Sequence, residues 1–387
     1  MPLGELRAWI VDPSPGTGGS GEPRVFGLTA RDRLHRTLER GGVRDVTALG
    51  SAGDDPGPSD GEAVVFRGDF FYDERVVAAL LDRPEAVLFE APDAPRPVAA
   101  RGPASRLPEW IALLRGASEA AVPRLVPSDL VPSYNPALRK LDPPFVFSAE
   151  RASVDEIEDR IFAASYKGLT DLVTKWVWPL PARAVTRWLS RRGTRPNTVT
   201  TVDYALAALT VWLFAEGQFG WGLLAGWLMT FLDTVDGKLA RVTLTSTRFG
   251  HVYDHALDLV HPPIWWAAWA CGLPPDTPGL NALLAIAVGG YLLGRLLEGI
   301  FLAAFKMEIF TWRRLDGMFR TVIARRNPNL LVLSVATLAG RPDFGFAAVA
   351  VWTAICNLLH CVRLAQAFAE RARGEAIRPW NEGPSTA

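Results

Sequence analysis

DTVDGKLARVTLTSTRFGHVYDHALD, residues 233–258, sets four carboxylates at the junction of two apolar stretches: Asp233 and Asp236 close one, and Asp254 and Asp258 open the next. Ionisable groups at such a depth are functional candidates by default. Asp233 and Asp236 are three apart and Asp254 and Asp258 four apart, so each pair shares a helical face, and the turn between the two helices brings the pairs together. Four carboxylates held that closely repel unless cations neutralise them, and hard oxygen ligands select magnesium, manganese or calcium. Gly237 and Ala240 remove bulk one turn apart, so a ligand can approach the helix, and Arg241 supplies a fork for a phosphate oxygen. Gly250 does the same at the head of the second helix. His251 and His255, on the face of Asp254 and Asp258, raise a rival reading, a His/Asp transition-metal site.

Outward from this stretch, six apolar runs near residues 199–216, 219–241, 250–272, 279–305, 327–341 and 344–369 approach the length needed to cross a bilayer. Loop charges orient them. The 238–248 turn carries Lys238, Arg241 and Arg248, the 306–326 connection carries Lys306, Arg313, Arg314, Arg320, Arg325 and Arg326, and Arg371 and Arg373 follow the last run. The loops around Glu216 and Pro274 to Pro278 hold no Lys or Arg, so both termini and the carboxylate end are expected on the cytoplasmic side. Just before the first run, Trp176, Trp178, Trp188 and Leu189 alternate with Arg183, Arg187, Arg191 and Arg192, as in a helix lying in the membrane interface. A further helix is expected from Val154 to Ala164, opened by Ser153 and Glu156 in capping-box spacing.

The front of the chain is different. Residues 1–150 are rich in Pro, Gly, Asp and Arg, and short apolar runs (Ala8 to Val11, Ala63 to Phe66) alternate with helical stretches (Arg31 to Arg40, Asp73 to Leu81), the pattern of a soluble α/β layer domain. The expected organisation is an α/β domain over 1–150, a linker with the interfacial helix over 151–197, a polytopic helical membrane domain over 198–370 and a tail over 371–387. Lys plus Arg equals Asp plus Glu, 41 each, so no overall basic field points to nucleic acid. Cys271, Cys356 and Cys361 lie in apolar segments with neither disulfide nor zinc spacing. The first residues lack a basic and an apolar region, so no cleavable leader is expected.

Taken whole, residues 233–258 read Asp-x-x-Asp-Gly-x-x-Ala-Arg, eight residues, then Gly-x-x-x-Asp-x-x-x-Asp, which resembles the CDP-alcohol phosphotransferase family with no motif position missing. Arg195-Pro196-Asn197-Thr198-Val199-Thr200 is similar to that family's segment ahead of its first span. The resemblance implies a two-metal site of magnesium or manganese held by Asp233, Asp236, Asp254 and Asp258, with Asp258 as general base on an acceptor hydroxyl. The donor would be a CDP-alcohol lying on Gly237, Ala240, Arg241 and Gly250, and CMP would leave. It also implies an integral protein of a bacterial or archaeal cell membrane and a homodimer. The basic cluster ending in Arg320, Arg325 and Arg326 could hold an acceptor phosphate or serve as a topology and lipid signal.

The front domain is similar to a nucleotidyltransferase, as in fused proteins whose front half is an inositol-phosphate cytidylyltransferase, through Gly16 to Gly21, a helix near Leu34 and Leu38, and Gly68-Asp69. No lysine precedes Lys140, and Arg24 is the nearest cation to that glycine loop, so a degenerate domain is expected. A second active site making the CDP donor is the alternative. A divalent-cation transporter and an inactive scaffold are the readings from other classes. Gly237, Ala240 and Arg241 argue against the transporter, and the intact carboxylate set argues against the scaffold.

Overall fold

The computed structural model describes residues 6–12, 22–50, 61–116 and 123–380, apart from the side chains of residues 248, 249, 251, 254, 255 and 257. Gly16 to Gly21 lie outside the described residues, as do the side chains of Arg248, His251, Asp254 and His255. The front half runs β1 (Leu6–Val11), α1 (Ala30–Arg40), β2 (Asp45–Leu49), β3 (Glu62–Arg67), β4 (Phe70–Tyr72), α2 (Glu74–Leu81), β5 (Ala86–Phe89), β6 (Pro97–Pro103), α3 (Leu107–Leu114), β7 (Arg124–Leu125), α4 (Pro127–Leu130), β8 (Tyr134–Asn135), β9 (Lys140–Leu141) and β10 (Val146–Ser148). The back half runs α5 (Val154–Ala164), α6 (Pro179–Arg191), α7 (Pro196–Ala215), α8 (Phe219–Val242), α9 (Arg248–Gly272), α10 (Leu280–Phe305), α11 (Ile309–Trp312), α12 (Arg314–Phe319), α13 (Arg326–Leu338) and α14 (Pro342–Ala372).

The front half is an α/β sheet domain with strand order β2-β1-β3-β6-β5-β7. β1 pairs in parallel with β2 and β3, and β6 lies antiparallel between β3 and β5. Its central strands are apolar on both faces because both are covered. In β3, Val64 and Phe66 meet Leu34, Leu38, Val76 and Leu80 of α1 and α2, while Ala63 and Val65 meet Trp110, Ile111 and Leu114 of α3. Thr29 caps α1 in a reciprocal capping box with Asp32, and the Ser153 hydroxyl caps α5 by accepting from the Glu156 amide.

The back half is helical, and α7, α8, α9, α10, α13 and α14 cover the six apolar runs. Three of them, Pro196–Ala215, Leu280–Phe305 and Pro342–Ala372, are long and apolar enough to cross a membrane. Length and composition among the described residues thus support three of the six expected spans. α8 and α9 carry the carboxylates that lower their hydropathy, and α13, with 13 residues, extends only about 20 Å, short of a bilayer core. Around the middle of the bundle, Phe214, Met229, Trp265, Trp266, Trp269, Leu330, Leu333 and Phe346 form one buried cluster. The stretch Val173–Val177 makes one wide helical turn before α6, leaving Trp176, Leu180 and Trp188 exposed.

The two halves meet at the end of α8. A helix leaves its last carbonyls without intrahelical donors, and cations near that end are favoured by its dipole. Here the donors come from α1: Arg33 Nη1 reaches the Val242 carbonyl at 2.6 Å and Arg36 Nη1 the Thr243 carbonyl at 2.8 Å. From α8 itself, Lys238 Nζ and Arg241 Nη1 each donate to the Ser165 carbonyl at 2.9 Å, behind α5. The buried Glu158 of α5 pairs with Arg187 of α6 and accepts from the Phe26 amide at 3.2 Å. Gly27, at φ +79, lies so near α6 that a Cβ there would stand 2.8 Å from the Ser190 carbonyl, which only glycine permits.

Arg33→Ala leaves the Val242 carbonyl buried without its donor, at a cost of about 1–3 kcal/mol. A lower thermal midpoint is expected, with faster amide exchange confined to the last turn of α8, and a smaller effect for Arg36→Ala. Unchanged exchange at residues 240–245 in Arg33→Ala would show that α8 does not depend on this contact.

Candidate metal and phosphate site

The carboxylate stretch folds as expected from its periodicity. α8 ends at Val242, Leu244 turns the chain at φ +59, and the Thr247 hydroxyl starts α9 by accepting from the Gly250 amide at 3.0 Å. Asp233 and Asp236 thus stand in the last turns of α8, and Asp258 in the third turn of α9. Gly250 lies against α7, where a Cβ would sit 3.2 Å from the Asn197 side-chain oxygen. A Cβ at Gly237 would meet only the Arg241 guanidinium, at 3.8 Å, so that face of α8 is open to a ligand.

One cation joins the two helices. Arg326, the first residue of α13, donates from Nη2 to Asp233 Oδ2 at 2.5 Å and from Nη1 to Asp258 Oδ1 at 2.7 Å. The cations that neighbour the carboxylates in sequence, Lys238 and Arg241, turn instead to the Ser165 carbonyl. Arg326, expected among acceptor-binding residues, therefore sits between carboxylates. Asp236 is buried and accepts from the Thr200 hydroxyl of α7 at 2.6 Å. Among the described residues no three His, Cys, Asp or Glu side chains are grouped for an ion, a set that leaves out Asp254. The donor chemistry nevertheless fits a hard divalent cation: carboxylate oxygens from two helices already share one positive group, and a Thr hydroxyl orients a third carboxylate.

Asp258 is held in a way the motif does not reveal. Pro262 and Pro263 lie inside α9, and neither has an amide hydrogen, so the carbonyls four residues earlier, of Asp258 and Leu259, lose their intrahelical donors. The Tyr291 hydroxyl of α10 contacts both carbonyls, at 3.2 Å each. The dipeptide Pro262-Pro263 signals the need for such a donor, but nothing in the sequence singles out Tyr291 as its source.

Beside the carboxylates lies a basic cluster. Glu298 of α10 accepts from Arg295 at 2.5 Å and from Arg325 at 2.7 Å. Arg320 and Arg325 both stand 5.5 Å from the Phe310 ring, and Arg320 Nη1 is buried with no hydrogen-bond partner among the described residues. Burial pushes the Arg320 guanidinium down to about 9, and Arg325 pushes the same way. Asp171 also faces Arg320, so three guanidinium groups stand against two carboxylates and leave an excess of positive charge suited to an anion. Sequence reading named Arg320 and Arg325 but not Arg295, which lies within an apolar span.

Two carboxylates of the front domain are paired with arginines. Arg67 Nη2 donates to Asp69 Oδ2 at 2.6 Å, and Arg31 pairs with Asp12 at the end of β1.

Residues 193–309 match the family model described as CDP-alcohol phosphatidyltransferase, so the chain carries that domain. A phosphatidylinositol phosphate synthase of Mycobacteroides abscessus is 41% identical over 93 residues, 22% of this chain and 41% of that protein. A bifunctional IPC transferase and DIPP synthase of Rubrobacter xylanophilus is 31% identical over 156 residues, 40% of this chain and 33% of that protein. The chain thus spans less than half the length of these two curated relatives. A crystal structure of the Mycobacterium tuberculosis phosphatidylinositol phosphate synthase with CDP-DAG bound aligns over 47% of this chain and 92% of that one, at 18% identity and a TM-score of 0.38. Likeness at that score carries no inference.

Arg326→Gln removes the shared cation and is expected to destabilise metal-free protein by about 1–3 kcal/mol, less than for a fully buried pair because the Asp258 side chain is 44% exposed. Manganese should then raise the thermal midpoint of the variant more than that of the wild type. An equal response in both proteins would mean that Arg326 and the ion do not compete for the same carboxylates. Tyr291→Phe should lower the midpoint by an amount corresponding to about 1–2 kcal/mol, more than Tyr204→Phe, whose hydroxyl donates to the Tyr253 carbonyl of α9, a carbonyl not orphaned by the prolines.

Proposed function

We propose that the helical half transfers a phosphoalcohol group from a CDP-alcohol donor to an alcohol acceptor, releasing CMP. The observation that carries this reading is the pair Asp233 and Asp258, brought from two helices to a single positive group. Asp233, Asp236, Asp254 and Asp258 would hold two divalent ions, magnesium or manganese, which when bound neutralise the pyrophosphate and the departing CMP. The donor lies over Gly237, Ala240 and Gly250, with Arg241 reaching a phosphate oxygen. Asp258 takes the proton from the acceptor hydroxyl while that oxygen forms its bond to the donor's β-phosphorus and the bond to the CMP oxygen breaks.

The acceptor carries a phosphate of its own in this reading. Arg295, Arg320 and Arg325 stand against two carboxylates, Glu298 and Asp171, and an anionic group would complete the balance. Phosphorylated polyols such as inositol phosphate fit, in keeping with the names of the relatives. The protein is an integral membrane protein with six helices in the bilayer, its carboxylate end and front domain on the cytoplasmic side, and it forms a homodimer. The loop charges support that orientation. The front domain, over residues 1–150, is a nucleotidyltransferase-like domain without activity of its own. Arg67 pairs with Asp69, the carboxylate of this domain that could otherwise hold a metal.

The test is CMP release by the purified chain with magnesium or manganese, pairing CDP-diacylglycerol or CDP-inositol with inositol phosphate, glycerol phosphate or neutral alcohols. Asp258→Asn is expected to lower turnover by about 100-fold or more while donor binding survives. Arg320→Gln should raise the acceptor KM about tenfold with little change in kcat, as lost ground-state binding does. Preference for a neutral alcohol would reject the phosphate-bearing acceptor, and metal-independent release would reject the mechanism.

A further inference from the structure

A cleft of about 690 Å³ opens where the β8–β9 hairpin of the front domain faces the end of α10 and the segment that follows α14. Its charged lining is Arg139, Lys306, Glu308 and Arg378. Arg139 forks onto Glu308, with one arm at 2.5 Å, and so uses up the single carboxylate. Lys306 and Arg378 then face the cleft with no carboxylate partner among the described residues. Lys306 is the C-cap of α10 and takes φ +58, a left-handed backbone that a lysine adopts at some cost. The far wall is fixed rather than loose: the Trp380 amide donates to the Thr311 carbonyl at 3.0 Å, and Ile377 packs against the cluster of Met307 and Phe310.

The other wall is apolar. Leu302 and Phe305 line the cleft, and Leu302 borders the exposed side of α10 that carries Leu292, Leu296 and Ile300. α10 is one of the helices long and apolar enough to cross a membrane, so this face is an acyl-chain path that ends at two free cations. A small soluble anion uses the cations but not the apolar wall, and a neutral lipid the reverse. From this pairing we infer that the cleft binds an anionic phospholipid, its phosphate on Lys306 and Arg378 and its chains along Leu302 and the face behind it, bridging the membrane helices to the front domain. The assignment does not depend on the transfer reaction.

Native mass spectrometry of the full chain, titrated with phosphatidylglycerol or phosphatidylcholine, tests it. Wild type is expected to retain one more phosphatidylglycerol than phosphatidylcholine. In the variant combining Lys306→Gln and Arg378→Gln that molecule should bind about 25-fold more weakly, two contributions of about fivefold each. Lys306→Arg should keep it. Should the double variant fail to fold, Arg378→Gln alone, at an exposed position, should show about a fivefold loss. Equal retention of the two lipids, or wild-type retention in the charge-removed variants, would overturn the proposal. Glycerol phosphate that displaces the lipid with comparable affinity would overturn it too, by making a soluble phosphate the occupant.

Discussion

Like charges gathered in a poorly solvated place are the constraint around which the rest of this molecule is arranged. Asp233 and Asp258 approach one another from different helices, and without a positive group between them their repulsion would push α8 and α9 apart. Arg326 supplies that group, and its position at the start of α13 draws a third helix to the same point. An arginine fork offers two parallel donors, whereas a lysine offers a single point charge, so the bridge is geometrically defined as well as neutralising. The helices around the site are therefore located by electrostatics at one end and by the tryptophan cluster Trp265, Trp266 and Trp269 at the other.

The front domain takes part in the same arrangement. Through Arg33 and Arg36 it satisfies carbonyls at the end of the helix that carries Asp233 and Asp236, while Lys238 and Arg241 of that helix are held by the Ser165 carbonyl at the end of α5. With Asp12 and Asp69 occupied by arginines, what the domain offers the rest of the chain is a fitted surface.

Much of this was legible in the sequence where the signal is local. The 3.6-residue period and proline starts mark the helices of the back half, and the spacing of the aspartates places two of them together on α8. The reading was incomplete where partners are far apart in the chain. Arg326 lies 93 and 68 residues from the carboxylates it bridges, and Arg33 lies 209 residues from Val242, and no periodicity encodes such distances. Arg326 looked like one more member of a basic run because composition reports charge and not its target. The count of membrane crossings was less legible for a related reason: the residues that make α8 and α9 useful are those that make them look less like membrane helices.

The two prolines of α9 interrupt the ladder that makes a helix behave as a rod, so the segment bearing Asp254 and Asp258 is jointed to the segment bearing the tryptophans. The pin of that joint, Tyr291, belongs to α10, and α10 runs unbroken from there to Lys306 at the mouth of the cleft, about 22 Å at 1.5 Å per residue. A stiff lever thus has its short arm at the carboxylates and its long arm at the boundary with the front domain. An axial shift of α10 would therefore be felt at Asp258 through Tyr291 and also in the tryptophan cluster, against which Leu283, Leu284 and Ala287 of the same helix pack.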